Sequence, residues 1–211
     1  MTKKEKAKLF DEYLKKLYGD AQCGLEAEND PFKLLVMAIL SAQCTDARVN
    51  IVSKTLFEKL PDAKAMAESK EGELEELIRS VGLYNSKAKN LRACAKRICD
   101  TYDGKVPSEM DDLLTLGGVG RKVANLIRGD IYGLGGIVAD THCIRITHRL
   151  GLTTKPDPLT TERELDKLVE KSEQSDFCHR IVMFGRDICT ARSPKCDSCE
   201  MKGMCKSNTA K

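Results

Sequence analysis

Apolar residues recur along this chain with a helical period from one end to the other. Leu9, Phe10, Tyr13, Leu14 and Leu17 fall on one stripe and predict a first helix. Asp30-Pro31 reads as an N-cap followed by proline at the first helical position, opening a helix through Ala42. The middle of that helix, Leu34 to Leu40, is apolar on every side and is expected inside a core. Thr45 or Asp46 caps a helix carrying Val49, Val52, Leu56 and Phe57. Pro61 interrupts the pattern, and short helices are expected near 62–67 and 71–79. Residues 81–85 read as a loop, followed by a helix from about Ser86 to Tyr102. Ser108 with Asp111 resembles a capping box, which sets a helix before Leu116. Further helices are expected from about Val119 to Tyr132, from an Asp140 cap to Leu150, and after caps at Thr160 and Ser175. No segment alternates with a period of two. The pattern predicts an all-α protein of about ten helices joined by short turns.

Composition narrows this picture. A chain of 211 residues can bury a core without disulfides, and 41% hydrophobic with 32% charged residues excludes a disordered polymer. The net charge of +3, from 35 basic and 32 acidic residues, is too mild to mark a nucleic-acid partner by itself. A DNA-binding face would have to come from segregation of charge. The start, Met1-Thr2-Lys3-Lys4-Glu5-Lys6, is charged and does not read as a secretion signal. The longest apolar run, Leu34 to Leu40, is far short of the ~20 residues that cross a bilayer. No membrane partner is expected, and the reading is an intracellular protein. Six cysteines (Cys23, Cys44, Cys94, Cys99, Cys143, Cys178) are scattered and read as small core or surface residues.

Three segments carry candidate chemistry. The first runs from Leu113 to Arg128 and contains Leu116-Gly117-Gly118-Val119-Gly120-Arg121-Lys122, a glycine-rich turn with helix on both sides. A helix that starts at such a turn aims its free N–H groups outward, and both dipole and donors favour an anion such as a DNA phosphate. No strand precedes the glycines and no Gly-Lys-Ser/Thr follows, which excludes a nucleotide-cradling P-loop. Lys122 falls in the first helical turn, where the dipole, together with partial burial, would favour the neutral amine that Schiff-base chemistry needs. The second segment, Ile137-Val138-Ala139-Asp140-Thr141-His142, offers a carboxylate that can cap a helix and also handle a proton. The third is the tail. Cys189, Cys196, Cys199 and Cys205 are spaced by six, two and five residues and read as a closed metal site. A structural zinc usually uses two Cys-x-x-Cys arms, and only one is present, so spacing places an iron–sulfur cluster ahead of zinc. Arg192 and Lys195 sit in the six-residue loop, where the metal would present them to phosphates.

These motifs, in this order and spacing, resemble endonuclease III, a family of bifunctional DNA glycosylases and abasic-site lyases in the helix-hairpin-helix superfamily. Leu40-Ser41-Ala42-Gln43-Cys44-Thr45-Asp46 and Gly82-Leu83-Tyr84-Asn85-Ser86-Lys87 match the family as well. The resemblance spans essentially the whole chain. It implies two all-α lobes with DNA in the cleft between them: an iron–sulfur lobe from residues 1–24 and 134–211, and a six-helix barrel from 25–133 with the hairpin near 108–132. It implies a [4Fe–4S] cofactor, a damaged double-stranded DNA partner and a cytoplasmic, nucleoid-associated place of action; the absence of coiled-coil heptads makes a monomer the default expectation. Lys122 would attack C1′ of an oxidised pyrimidine nucleotide or abasic site, and Asp140 would move its proton. Gln43 and Leu83 would fill the space left by the extruded base. Gly118, Gly120, Arg121, His142, Arg192 and Lys195 would contact the DNA. One departure is visible: the family turn usually reads Leu-Pro-Gly-Val-Gly, and Gly117 replaces the proline, which is expected to loosen the turn. Two rival readings are a monofunctional mismatch glycosylase, which lacks the Schiff-base lysine, and a non-catalytic metal-stabilised DNA-binding module, which needs neither Lys122 nor Asp140.

Overall fold

The computed structural model describes residues 1–209. Among these, eleven α-helices and four short 3-10 turns make up the regular structure, with no strand. The chain divides into two compact units, one from Met1–Gln22 with Gly133–Lys211, the other from Cys23–Tyr132.

The continuous unit is built around α2 (Pro31–Leu40). Every residue from Leu34 to Leu40 is buried, as its all-round apolar sequence demands. Around it pack α3 (Asp46–Lys59), α6 (Tyr84–Tyr102) and α8 (Arg121–Asp130), with α4 (Ala63–Ala67), α5 (Glu73–Leu77) and α7 (Met110–Leu113) completing the unit. Asp30 caps α2 by accepting from Lys33 N, with Pro31 at the first position, and Thr45 caps α3 by accepting from Arg48 N.

The discontinuous unit joins α1 (Lys3–Tyr18) to α9 (Thr141–Leu150), α10 (Pro158–Leu165) and α11 (Gln174–Asp187). Its centre is aromatic. Phe10 meets Phe177 and Phe184 edge-on at centroid distances of 6.0 and 5.5 Å, and Tyr13 meets Phe184 at 5.9 Å. Such pairs each add roughly 0.5–1.5 kcal/mol beyond burial. Lys6 Nζ donates to the carbonyls of Leu150 and Met204 at 3.1 and 2.8 Å, tying the first helix to the tail.

Several boundaries differ from the sequence expectations, each for a local reason. The loop expected over 81–85 is shorter: α6 starts at Tyr84, because Leu83 turns the chain in the left-handed region. The second hairpin helix starts at Arg121 rather than Val119, after an extended Gly120. Ser108 does not cap α7; its Oγ donates to Glu109 Oε1, and the one-turn helix has no side-chain cap. Asp157, not Thr160, caps α10, since Pro158 fixes the first helical position and Thr160 N then donates to Asp157 Oδ1. Ser175 lies inside α11, which continues from a 3-10 turn, Lys171–Glu173. No helix is long and apolar enough to cross a membrane among the described residues.

Candidate functional site

The hairpin is α7, a seven-residue turn, and α8. Arg128 Nη1 donates to Ser108 O at 2.8 Å and Tyr132 Oη to Val106 O, which clamp the far end of α8 against the chain entering α7. Leu116 and Val119 are buried, and Val119 N donates to Leu116 O. Gly118 has φ +79°, and a Cβ there would stand 3.0 Å from the Asn90 Cβ and 3.3 Å from Ile39 Cγ2. Gly120 is the N-cap of α8 and supplies no side-chain acceptor, so the first-turn N–H groups of this helix are uncapped by side chains. Gly118, Gly120, Arg121 and Lys122 thus share one positively polarised edge.

Gly117 carries a correction. A Cβ at this position would lie 2.6 Å from the Asn90 carbonyl oxygen and 3.1 Å from Cys94 N, both main-chain atoms of α6. Glycine here lets the turn lie against a helix backbone; in the folded protein it is a contact residue rather than a loosened link. Lys122 carries another. It is exposed, so the partial burial invoked for it is absent in the free protein. The dipole of α8 remains, and any dehydration of its amine must come from what docks over it.

Gln43 and Leu83 are both exposed non-glycine residues held left-handed, with φ of 55° and 49°. For residues that carry a β-carbon such geometry costs of order 1–3 kcal/mol and persists only when the surroundings enforce it. Both loops belong to the same unit as the hairpin.

In the other unit, half-buried Asp140 caps α9 by accepting from Cys143 N at 2.7 Å, which leaves its second carboxylate oxygen available. His142 Nδ1 lies 3.2 Å from Arg145 Nη2. A Cβ on Gly185 would collide with that same ring nitrogen, so glycine in α11 is what admits the imidazole.

The four tail cysteines line one small pocket, together with Ile146, Leu150, Phe184 and Ile188. The donor set, four thiols facing a largely apolar cavity rimmed by Arg149, Lys195 and Lys202, fits a dianionic four-iron cluster held by four thiolates. Burial pushes the Cys199 and Cys205 thiols up, and their neighbouring cysteines push the same way, so cluster assembly releases protons.

Two residues that the sequence reading missed fix this loop. Arg149 donates to Thr190 O and Ala191 O, both at 2.8 Å, and lies 3.5 Å from Cys189 Sγ. Arg145 donates to Cys189 O at 2.9 Å. The available signal was their spacing: positions four apart on α9 share a face. Arg192 is exposed on the loop. Lys195 is exposed too, but Asp187 holds it at 2.9 Å, and that pairing draws the Asp187 carboxyl below its usual value.

Comparison with known proteins fits this geometry. Residues 36–171 match the family described as HhH-GPD superfamily base excision DNA repair protein, and residues 189–205 match the iron–sulfur binding domain of endonuclease III. The chain is 44% identical to endonuclease III of Synechocystis sp. over 99% of its own length and 95% of the relative's. It superposes with a TM-score of 0.91 and 40% identity on a non-covalent endonuclease III–DNA complex, covering 99% of this chain and 97% of that one. A trapped covalent endonuclease III–DNA intermediate gives the same TM-score and identity, with 99% and 98% covered. The protein accordingly carries a [4Fe–4S] cluster. The chain belongs to the endonuclease III family of HhH-GPD base excision DNA repair proteins.

Proposed function

We propose that this protein is a DNA glycosylase and abasic-site lyase that removes oxidised pyrimidines from duplex DNA and cuts the strand 3′ of the resulting site. The observation that carries the reading is Lys122, an exposed primary amine in the first turn of an otherwise uncapped helix behind a glycine turn. The N–H groups beside it suit a backbone phosphate, which would bring C1′ of a flipped-out nucleotide to the amine. A pure binding module needs no such amine, and a monofunctional glycosylase lacks one; the covalently trapped relative is 40% identical to this chain.

Lys122 Nζ attacks C1′, the N-glycosidic bond breaks, and the base departs with a proton. Asp140 accepts a proton from the attacking amine and steadies the cationic sugar. The resulting C1′ aminal opens as its C1′–O4′ bond breaks and O4′ takes a proton, leaving a protonated C1′ imine that acidifies the C2′ hydrogen; loss of that proton sends its electron pair to expel the 3′ phosphate, and water then hydrolyses the imine to release the enzyme. Gln43 and Leu83 occupy the vacated stack. Gly118, Gly120, Arg121, His142, Arg192 and Lys195 contact the DNA, Lys195 by exchanging Asp187 for a phosphate. The cluster shapes the loop that carries Arg192. The protein works as a monomer, in the cytoplasm on nucleoid DNA.

Borohydride reduction in the presence of duplex DNA with one abasic site tests this. A covalent protein–DNA adduct is expected from the native chain and none from Lys122→Gln. Asp140→Asn should retain DNA affinity and slow turnover by roughly 10²–10⁴-fold. A native protein that gives no adduct refutes the lyase assignment.

A further inference from the structure

Lys87 lies in the first turn of α6 at 4% exposure. A buried ammonium needs strong partners, yet among the described residues it forms no ion pair. Its Nζ donates instead to two main-chain carbonyls, Leu40 O at 2.9 Å and Val81 O at 3.0 Å. Leu40 ends α2, and Val81 ends the 3-10 turn Arg79–Val81. Both carbonyls are helix-terminal, where acceptors lack intrahelical donors and the dipole favours a cation.

Each carbonyl stands just upstream of an exposed left-handed side chain. Three residues after Leu40 the chain reaches Gln43, and two after Val81 it reaches Leu83. The main-chain N–H of Lys87 donates to Leu83 O at 3.0 Å as well. Each loop is also closed locally: Cys44 N donates to Ser41 O at 3.0 Å, and Ser86 Oγ to Leu83 O at 2.9 Å. These local bonds shape one loop each, whereas Lys87 bonds both. A methyl-terminated side chain of equal length could fill the space, but it could not bond two carbonyls from different loops. The charge has a cost, since burial pulls the Lys87 amine below its ordinary value. A cation kept there despite that cost implies that the loops need a common anchor.

We infer that Lys87 is a positioning residue that sets the spacing and backbone geometry of Gln43 and Leu83, so that both enter the duplex together when the damaged nucleotide leaves it. The inference rests on the wedge roles proposed above. Duplex DNA needs the wedges, because a base must be replaced in the stack. A single strand carrying the same abasic site has no stack to refill, and needs Lys122, Asp140 and the phosphate contacts but not the wedges.

The test compares strand cleavage of abasic duplex with that of the same strand unpaired, under single turnover. Lys87→Met should lower the duplex-to-single-strand rate ratio at least tenfold, and Lys87→Arg, which keeps a cation with several donors, should restore most of it. The double variant Gln43→Ala/Leu83→Gly should lower the ratio by a similar factor, and adding Lys87→Met to it should cost no more than a further twofold. If Lys87→Met lowers both rates equally, the lysine is a fold residue and the inference is wrong. If Lys87→Met does not fold, Lys87→Gln, which can still donate to one carbonyl, must lower the ratio at least threefold. A folded Lys87→Gln with an unaltered ratio overturns the inference, as does failure of both variants to fold. Losses that multiply in the triple variant also overturn it. A wedge double variant with an unaltered ratio removes the wedge reading itself, and with it any role for Lys87 through those loops.

Discussion

At the scale of single residues, Gly117 shows how a substitution can be visible in a sequence while its meaning is not. The missing family proline suggests a looser turn. The structure gives the opposite emphasis: a β-carbon would stand 2.6 Å from a main-chain oxygen of α6, an atom that cannot swing aside. Gly117→Ala should therefore destabilise the protein by about 1–3 kcal/mol, the usual range for overpacking. In a domain of this size that is a melting temperature lower by roughly 3–10 °C. An alanine variant that melts at the native temperature or higher, as expected if chain entropy dominated, would contradict the contact reading. Lys122 was legible in type and place because a helix start next to glycines can be read locally. Its exposure was not, because burial depends on what other elements cover.

At the scale of elements, capping residues were legible where a side chain has one chemical option. Asp30 before Pro31, Thr45 and Asp140 all cap as their sequences suggest. Thr160 and Ser175 misled because a neighbouring Asp-Pro pair and a preceding 3-10 turn set those starts first. Non-local pairs left no local trace. Arg92 of α6 forks onto Glu75 of α5 at 2.6 and 2.7 Å and also donates to Ser69 Oγ and Lys70 O, anchoring the segment that leads to Leu83. This fork pushes the Glu75 carboxyl from its ordinary 4.5 down to about 2. A folded-state value below the unfolded one gives stability that is complete above pH 4.5 and is lost as the pH falls toward about 2. Allowing for partial exposure, the contribution is about 1–3 kcal/mol. Glu75→Gln should lose that amount at neutral pH and show a shallower decline between pH 4.5 and 2 in urea melts. Parallel acid limbs for the two proteins would show that the pair does not govern this window.

At the scale of the whole molecule, the helical period placed Phe10 on the apolar stripe of the first helix but not what it meets, so the closure of that helix on Phe184 of α11 had to come from the structure. The cysteine tail is the reverse case: four cysteines clustered within seventeen residues were plain, while the anchors of their loop, Arg145 and Arg149 on α9, were not. The tail meets the core at Met201, which is buried with Phe10, Phe177 and Phe184, but it contributes little helix. The described residues after Asp187, 188–209, contain only the 3-10 turns Cys196–Ser198 and Glu200–Met204, whereas the aromatic contacts of Phe10, Tyr13, Phe177 and Phe184 involve none of them. Removing the cluster, by oxidation and chelation or by Cys199→Ser, should therefore leave helical circular dichroism nearly intact and abolish the broad visible absorbance. The loop would be released from its thiolate anchors, so Arg192 would no longer be presented in one geometry. Affinity for duplex DNA should fall by at least tenfold, and the dependence of binding on salt should flatten as a phosphate contact is lost. Melting should drop by about 10 °C or more, because cluster binding and folding of the tail are one equilibrium. A cluster-free protein with native melting and native DNA affinity would place the loop's rigidity in the two arginines alone.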